Sequence, residues 1–127
     1  MKPSLTFGLT HVAIAVRDLQ RTKAFYQRIF DMELMYDEAT FIQLTTPGAN
    51  DVIVFEQNES VNPNTGGIAH FGFRLRSPDS IGEIEIRIME AGGTIIQSGE
   101  FVPGSPYVFF KDPDGYTVEV WYELPVG

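Results

Sequence analysis

The chain has 127 residues, 43% of them hydrophobic, enough to bury most of its unfolded surface in one compact domain. Its 17 acidic and 9 basic residues give a net charge of -8 without any basic cluster, which argues against nucleic acid and anionic membrane surfaces as partners. Cysteine is absent, so disulfides, thiolate ligands and a cysteine nucleophile are excluded too. Met1-Lys2-Pro3-Ser4-Leu5 lacks the apolar stretch of a signal peptide and no segment is long enough to span a membrane, so a cytoplasmic location is expected.

In chain order, residues 9 to 16 alternate with a strand period, placing His11, Ala13 and Ala15 on one face and Val12, Ile14 and Val16 on the other. Asp18 caps a predicted helix over 19 to 30, in which Leu19, Thr22, Tyr26, Ile29 and Phe30 recur at helical spacing. Strands are predicted over 33 to 37, 40 to 46 and 51 to 57, the last two joined by the turn Pro47-Gly48-Ala49-Asn50. Residues 59 to 67 are polar and rich in turn formers, and read as a linker.

The same order then repeats. A strand is predicted over 68 to 76, followed by Ser77-Pro78 as a helix start, an Ile81, Ile84, Ile88 stripe, and Gly92-Gly93 as its end. Strands over 94 to 98, 105 to 111 and 116 to 123 follow, with Asp112-Pro113-Asp114-Gly115 as a strong hairpin signal. The fold class is α+β: two βαβββ modules, one over 8 to 58 and one over 68 to 123, in a single domain spanning 1 to 127.

The only two histidines, His11 and His70, open the first strand of each module in the same phase, and an arginine follows six residues after each. Glu119 lies in the last strand, Tyr116 to Trp121, on the face that holds Thr117 and Trp121. A carboxylate there is costly to bury unless a positive group meets it. Two neutral imidazoles and one carboxylate suit Fe(II), Mn(II), Ni(II) or Zn(II) and leave coordination positions open, so His11, His70 and Glu119 are the candidate metal ligands. The bland alternatives are histidines with no ligand role and a Glu119 paired with Arg74, which shares a strand face with His70 and Gly72.

The run from His11 to Leu19 followed by Ala24-Phe25-Tyr26, together with Phe109-Phe110-Lys111-Asp112-Pro113-Asp114-Gly115-Tyr116-Thr117-Val118-Glu119, resembles the vicinal oxygen chelate superfamily of glyoxalases, bleomycin resistance proteins and dioxygenases. The resemblance covers essentially the whole chain. It implies paired modules whose curved mixed sheets enclose a cavity, usually in a homodimer, and a divalent metal held by His11, His70 and Glu119. A small molecule with adjacent oxygens is the implied substrate.

Glyoxalase I enzymes resemble this chain but carry a fourth ligand where Val54 aligns with Glu119. Glu56, two residues on along the same face, is the nearest carboxylate, about 6 to 7 Å away. Extradiol dioxygenases resemble it in needing three ligands; their tyrosine ten residues before the glutamate is Phe109 here, with Tyr107 the nearest phenol and Gln43 a polar candidate on the third strand. Tyr107 and Glu119 are therefore the candidates for the chemistry, and Gln43, Val54, Glu56, Arg74, Tyr107, Phe109 and Trp121 for substrate contact. Fosfomycin resistance transferases share the ligand set, but only Arg74 stands out as a cation for a phosphonate. A dioxygenase-like site is the leading expectation and a glyoxalase-type lyase the second. The third is a metal-free drug-binding protein using Tyr107, Phe109 and Trp121 as a planar wall.

Overall fold

The computed structural model describes residues 4–62 and 67–125. The chain divides into two compact units, residues 1–61 and 62–127. Most of the expected linker, residues 63 to 66, lies outside the described residues.

The first unit runs β1 (Val12–Val16), α1 (Leu19–Phe30), β2 (Glu33–Asp37), β3 (Phe41–Thr45) and β4 (Ile53–Gln57), with sheet order β1-β4-β3-β2. β1 and β4 are parallel and the other pairs antiparallel, so the sheet is mixed. Asp18 caps α1 by accepting from the Arg21 backbone N–H, and the helix ends at Asp31 in the left-handed region, φ 55°. Strand alternation sends Ile14, Val16, Ile42, Leu44, Ile53 and Phe55 into the core, where they meet Leu19, Phe25, Tyr26 and Ile29 of α1. Burying each such side chain is worth about 1.5–3 kcal/mol, which makes this stripe the main force closing the helix onto the sheet.

The second unit repeats the pattern with β5 (Phe71–Arg74), a 3-10 turn (Pro78–Ser80), α2 (Ile81–Glu90), β6 (Thr94–Glu100), β7 (Pro106–Lys111) and β8 (Thr117–Trp121), in sheet order β5-β8-β7-β6. The βαβββ expectation holds for both units. Even the irregularities repeat: β2 slips register against β3 between Leu34 and Tyr36, and β6 slips against β7 between Ile95 and Gln97, at equivalent places. Val108, Phe110, Val118 and Val120 form the core face of this sheet, with Ile88 the one fully buried residue of α2. Ile81 and Ile84, read from the sequence as core, are only half-buried. No helix among the described residues is long and apolar enough to cross a membrane.

The β7–β8 turn is built around a side chain. Buried Asp112 accepts through Oδ1 from the backbone N–H groups of Asp114, Gly115 and Tyr116, at 3.0, 3.0 and 2.9 Å. Gly115 supplies the positive φ of 99°. Asp112→Ala should therefore cost about 2–3 kcal/mol in urea unfolding, since it takes the acceptor from the Asp114 and Tyr116 N–H groups and leaves that of Gly115 only the Asp112 carbonyl, whereas Asp112→Asn, which keeps the oxygen, should lose less than half as much. Equal losses would mean that the carboxamide oxygen does not replace it.

Candidate functional site

Alternation along β7 and β8 gives the second sheet an open face that α2 does not cover. Across it run three rows fixed by strand pairing: Lys111 opposite Thr117; Gly72, Glu119, Phe109 and Gln97; and Arg74, Trp121, Tyr107 and Gly99. Four of the sequence candidates, Glu119, Phe109, Tyr107 and Trp121, thus stand side by side on two adjacent strands. His70 lies just before β5, and its ring meets that of Phe109 edge to face, with centroids 5.3 Å apart. Since β8 runs between β5 and β7, the imidazole reaches over the strand that carries Glu119.

Glu119 is half-buried and forms no hydrogen bond or ion pair with any described residue. The alternative pairing with Arg74 does not occur: Arg74 donates to Glu123 at 3.1 Å, with 70% of its side chain exposed. Glu119 leans over Gly72, where a Cβ would come within 3.2 Å of both the Glu119 carbonyl oxygen and Oε1. Only glycine leaves that space, so the residue opposite Glu119 and the orientation of its carboxylate are coupled.

Tyr107 accepts a hydrogen bond at its phenolic oxygen from Nε2 of Gln97, at 2.9 Å, which leaves its own O–H free to donate elsewhere. Gly99 opposite gives the phenol room, since a Cβ there would lie 3.3 Å from the hydroxyl oxygen. Phe101 stacks on Tyr107 with centroids 4.1 Å apart and planes at 13°, and meets Trp121 edge-on at 5.9 Å. Phe101 and Gln97 escaped the sequence reading because neither stands in a motif. Lys111 escaped it as well, although it lies within the turn motif; its Nζ donates to Thr117 Oγ1 at 2.7 Å on this same face.

The first unit shows what the equivalent face carries. Pairing places Val54 beside Ala13 and Gln43, as Glu119 sits beside Gly72 and Phe109, so the alignment of Val54 with Glu119 is structurally correct. Val54 is 7% exposed and has no donor atom. Glu56 pairs with Ala15 and Phe41 one row further on, in the place that Trp121 holds in the second unit, and is exposed. His11 lies just before β1, exposed and without a hydrogen bond among the described residues. Among those residues no three His, Asp or Glu side chains converge as a metal cluster; what the second unit does bring together is His70 and Phe109, the cross-strand partner of Glu119.

The comparisons with known proteins agree with this architecture. The model of the Glyoxalase/Bleomycin resistance protein/Dioxygenase superfamily matches residues 8–120. The lactoylglutathione lyase of Salmonella typhimurium (strain LT2) is 30% identical over 122 residues, 88% of this chain and 90% of that enzyme. The catechol-2,3-dioxygenase of Bacillus subtilis (strain 168) is 25% identical over 91% of this chain, but the match spans only 42% of its own length. Among solved structures, the fosfomycin resistance protein FosX of Listeria monocytogenes superposes with a TM-score of 0.79 at 26% identity, covering 94% of this chain and 96% of that one. With its βαβββ units, its terminal Asp112–Gly115 hairpin and a family match over nearly its whole length, the chain belongs to the glyoxalase, bleomycin resistance protein and dioxygenase superfamily.

Proposed function

We propose that the protein is a divalent-metal enzyme acting on a small molecule that grips the ion through adjacent oxygens, with dioxygenase-like chemistry. His11, His70 and Glu119 would hold the ion, Fe(II), Mn(II), Ni(II) or Zn(II), as two neutral nitrogens and one carboxylate with open positions beside them. The observation that carries this reading is the unpartnered, half-buried Glu119 carboxylate, given its space by Gly72, with His70 on the same face. A half-buried carboxylate that no described residue pairs with is suited to a cation, and ion binding itself supplies free energy to gather the remaining ligand.

When bound, the ion would act as a Lewis acid toward the substrate oxygens. The chain's own groups do the rest. Tyr107, held by Gln97 with its O–H free, is placed to pass a proton to or from a substrate oxygen. Phe109 in Glu119's own row and Trp121 in the next offer apolar contact, and in the first unit Gln43 stands beside the apolar Val54. The dioxygenase lean rests on Val54: without a donor in the fourth place, three ligands remain and more of the ion faces the substrate. The second reading is a glyoxalase-type lyase, favoured by the 30% identity to a lactoylglutathione lyase, and it requires Glu56 to complete the shell. A homodimer is part of the proposal, because β1 and β5 are sheet-edge strands and partly exposed apolar residues such as Met35 and Ile96 ask for cover.

Elemental analysis and titration with Mn(II) should give stoichiometric binding that is lost in His11→Ala, His70→Ala and Glu119→Ala while far-UV circular dichroism stays unchanged; full occupancy in the last two variants would end the metal reading. Gly72→Val should weaken Mn(II) binding by about tenfold or more by pushing Glu119 aside, in the range seen for altered metal surroundings. The Fe(II) protein should take up oxygen with a catechol, and Val54→Glu should suppress this. Strong lyase turnover on a hemithioacetal, lost on Glu56→Ala, would reverse the order of the two readings. Sedimentation at tens of micromolar should show a dimer; a monomer there would remove that part of the proposal.

A further inference from the structure

Lys111 is a charged residue of the open face to which the metal reading gives no task. It ends β7 directly opposite Thr117, half-buried, and donates one of its three N–H bonds to the Thr117 hydroxyl. No described carboxylate pairs with it. A partly desolvated ammonium with a single neutral partner offers two donors and a full charge to whatever anion reaches that corner.

The opposite end of the same face is built differently. Phe101, Tyr107 and Trp121 form a stacked and edge-on cluster there, with Phe109 between it and the Lys111 row. Tyr107 and Lys111 are four residues apart on an extended strand, so about 13 Å of sheet separates the two ends. Glu119 stands in the middle row. Arg74, the other cation of this face, lies at the aromatic end, is committed to Glu123, and is largely exposed.

We propose that Lys111, held in place by Thr117, receives an anionic group of the substrate, and that the substrate class is a small elongated carboxylate with a planar apolar group at its far end. One singly charged ammonium beside one hydroxyl matches a carboxylate, while the three rings supply a flat apolar seat. The placing of vicinal oxygens at the middle row rests on the metal reading above. The pairing of Lys111 with the aromatic cluster does not.

Trp121 is the only tryptophan of the chain and belongs to that cluster, so its fluorescence reports occupancy without any metal. The probes are 5-phenylpentanoate, whose carboxylate and ring fit the spacing, and the neutral 5-phenylpentan-1-ol, titrated into the full-length protein at pH 7 and low salt. The acid should half-saturate at a concentration about tenfold lower than the alcohol, and the gap should narrow as salt is raised. Lys111→Met and Lys111→Gln should each bring the two probes within about twofold of one another without moving the alcohol, Lys111→Arg should keep the preference, and Thr117→Val should lose part of it. Equal affinity for the two probes, a preference that survives in Lys111→Gln, or no saturable response to either would overturn the proposal. Mn(II) stoichiometry, measured in parallel and expected to be untouched by Lys111→Gln, separates the two claims: failure of Mn(II) binding alone removes the metal reading and leaves the carboxylate seat standing.

Discussion

The register of β8 is the constraint on which the second unit's surface chemistry depends. This strand pairs in parallel with β5 and antiparallel with β7, so a slip of one residue would turn Glu119 toward the helix side and expose Val118 and Val120. The cost would combine a buried carboxylate with two lost apolar contacts, several kcal/mol in all. Hydrogen bonds pin the hairpin at both ends. Asp112 holds the turn, and at the far end Ser105 Oγ donates to the Tyr122 carbonyl at 2.6 Å while the Tyr122 N–H donates to Pro106 at 3.0 Å. The rows containing Lys111, Glu119 and Trp121 follow from that clamp.

The first unit uses the same scaffold with a different lock. Asp51 takes the anchoring role there, accepting from the Thr46 N–H at 2.7 Å and the Thr46 hydroxyl at 2.7 Å, and β3 and β4 come into the register that β7 and β8 show. What differs is the cargo. Val54 and Gln43 stand where the second unit has Glu119 and Phe109, and Thr45 stands where it has Lys111. The two faces are alike in geometry and unlike in chemistry: only the second carries a carboxylate in the middle row and a cation in the next.

Much of this was legible from the residues. The bounds of α1 and β2 coincide with the expected 19 to 30 and 33 to 37, because a capping aspartate and clear periodicity leave little freedom there. The fifth strand is shorter than the expected 68 to 76, since an apolar run becomes strand only where a neighbour pairs with it, and β8 meets β5 from Phe71 onward. The two register slips had no signal, as Met35 and Ile96 are ordinary strand residues. Nor could alternation alone decide whether Arg74 would take Glu119 or Glu123. Both lie within reach of its strand, and the choice is one of side-chain geometry. Of the proposed ligands, the sequence showed the shared phase of the two histidines, and the structure adds the edge-to-face contact that brings His70 over β8.

The position of Lys111 sharpens the same point. It lies diagonally across from Glu119, near enough in a sheet for opposite charges to attract. Yet its ammonium is hooked to Thr117 and Glu119 is left alone. A partly exposed ion pair between them would contribute only about 0–1 kcal/mol, so the fold gives up little stability by keeping them apart. It would also cancel the two charges that make this face selective, the carboxylate for a cation and the ammonium for an anion. Thr117 is the residue that prevents this: by holding the ammonium in its own row, it leaves both charges open to ligands of opposite sign on one sheet.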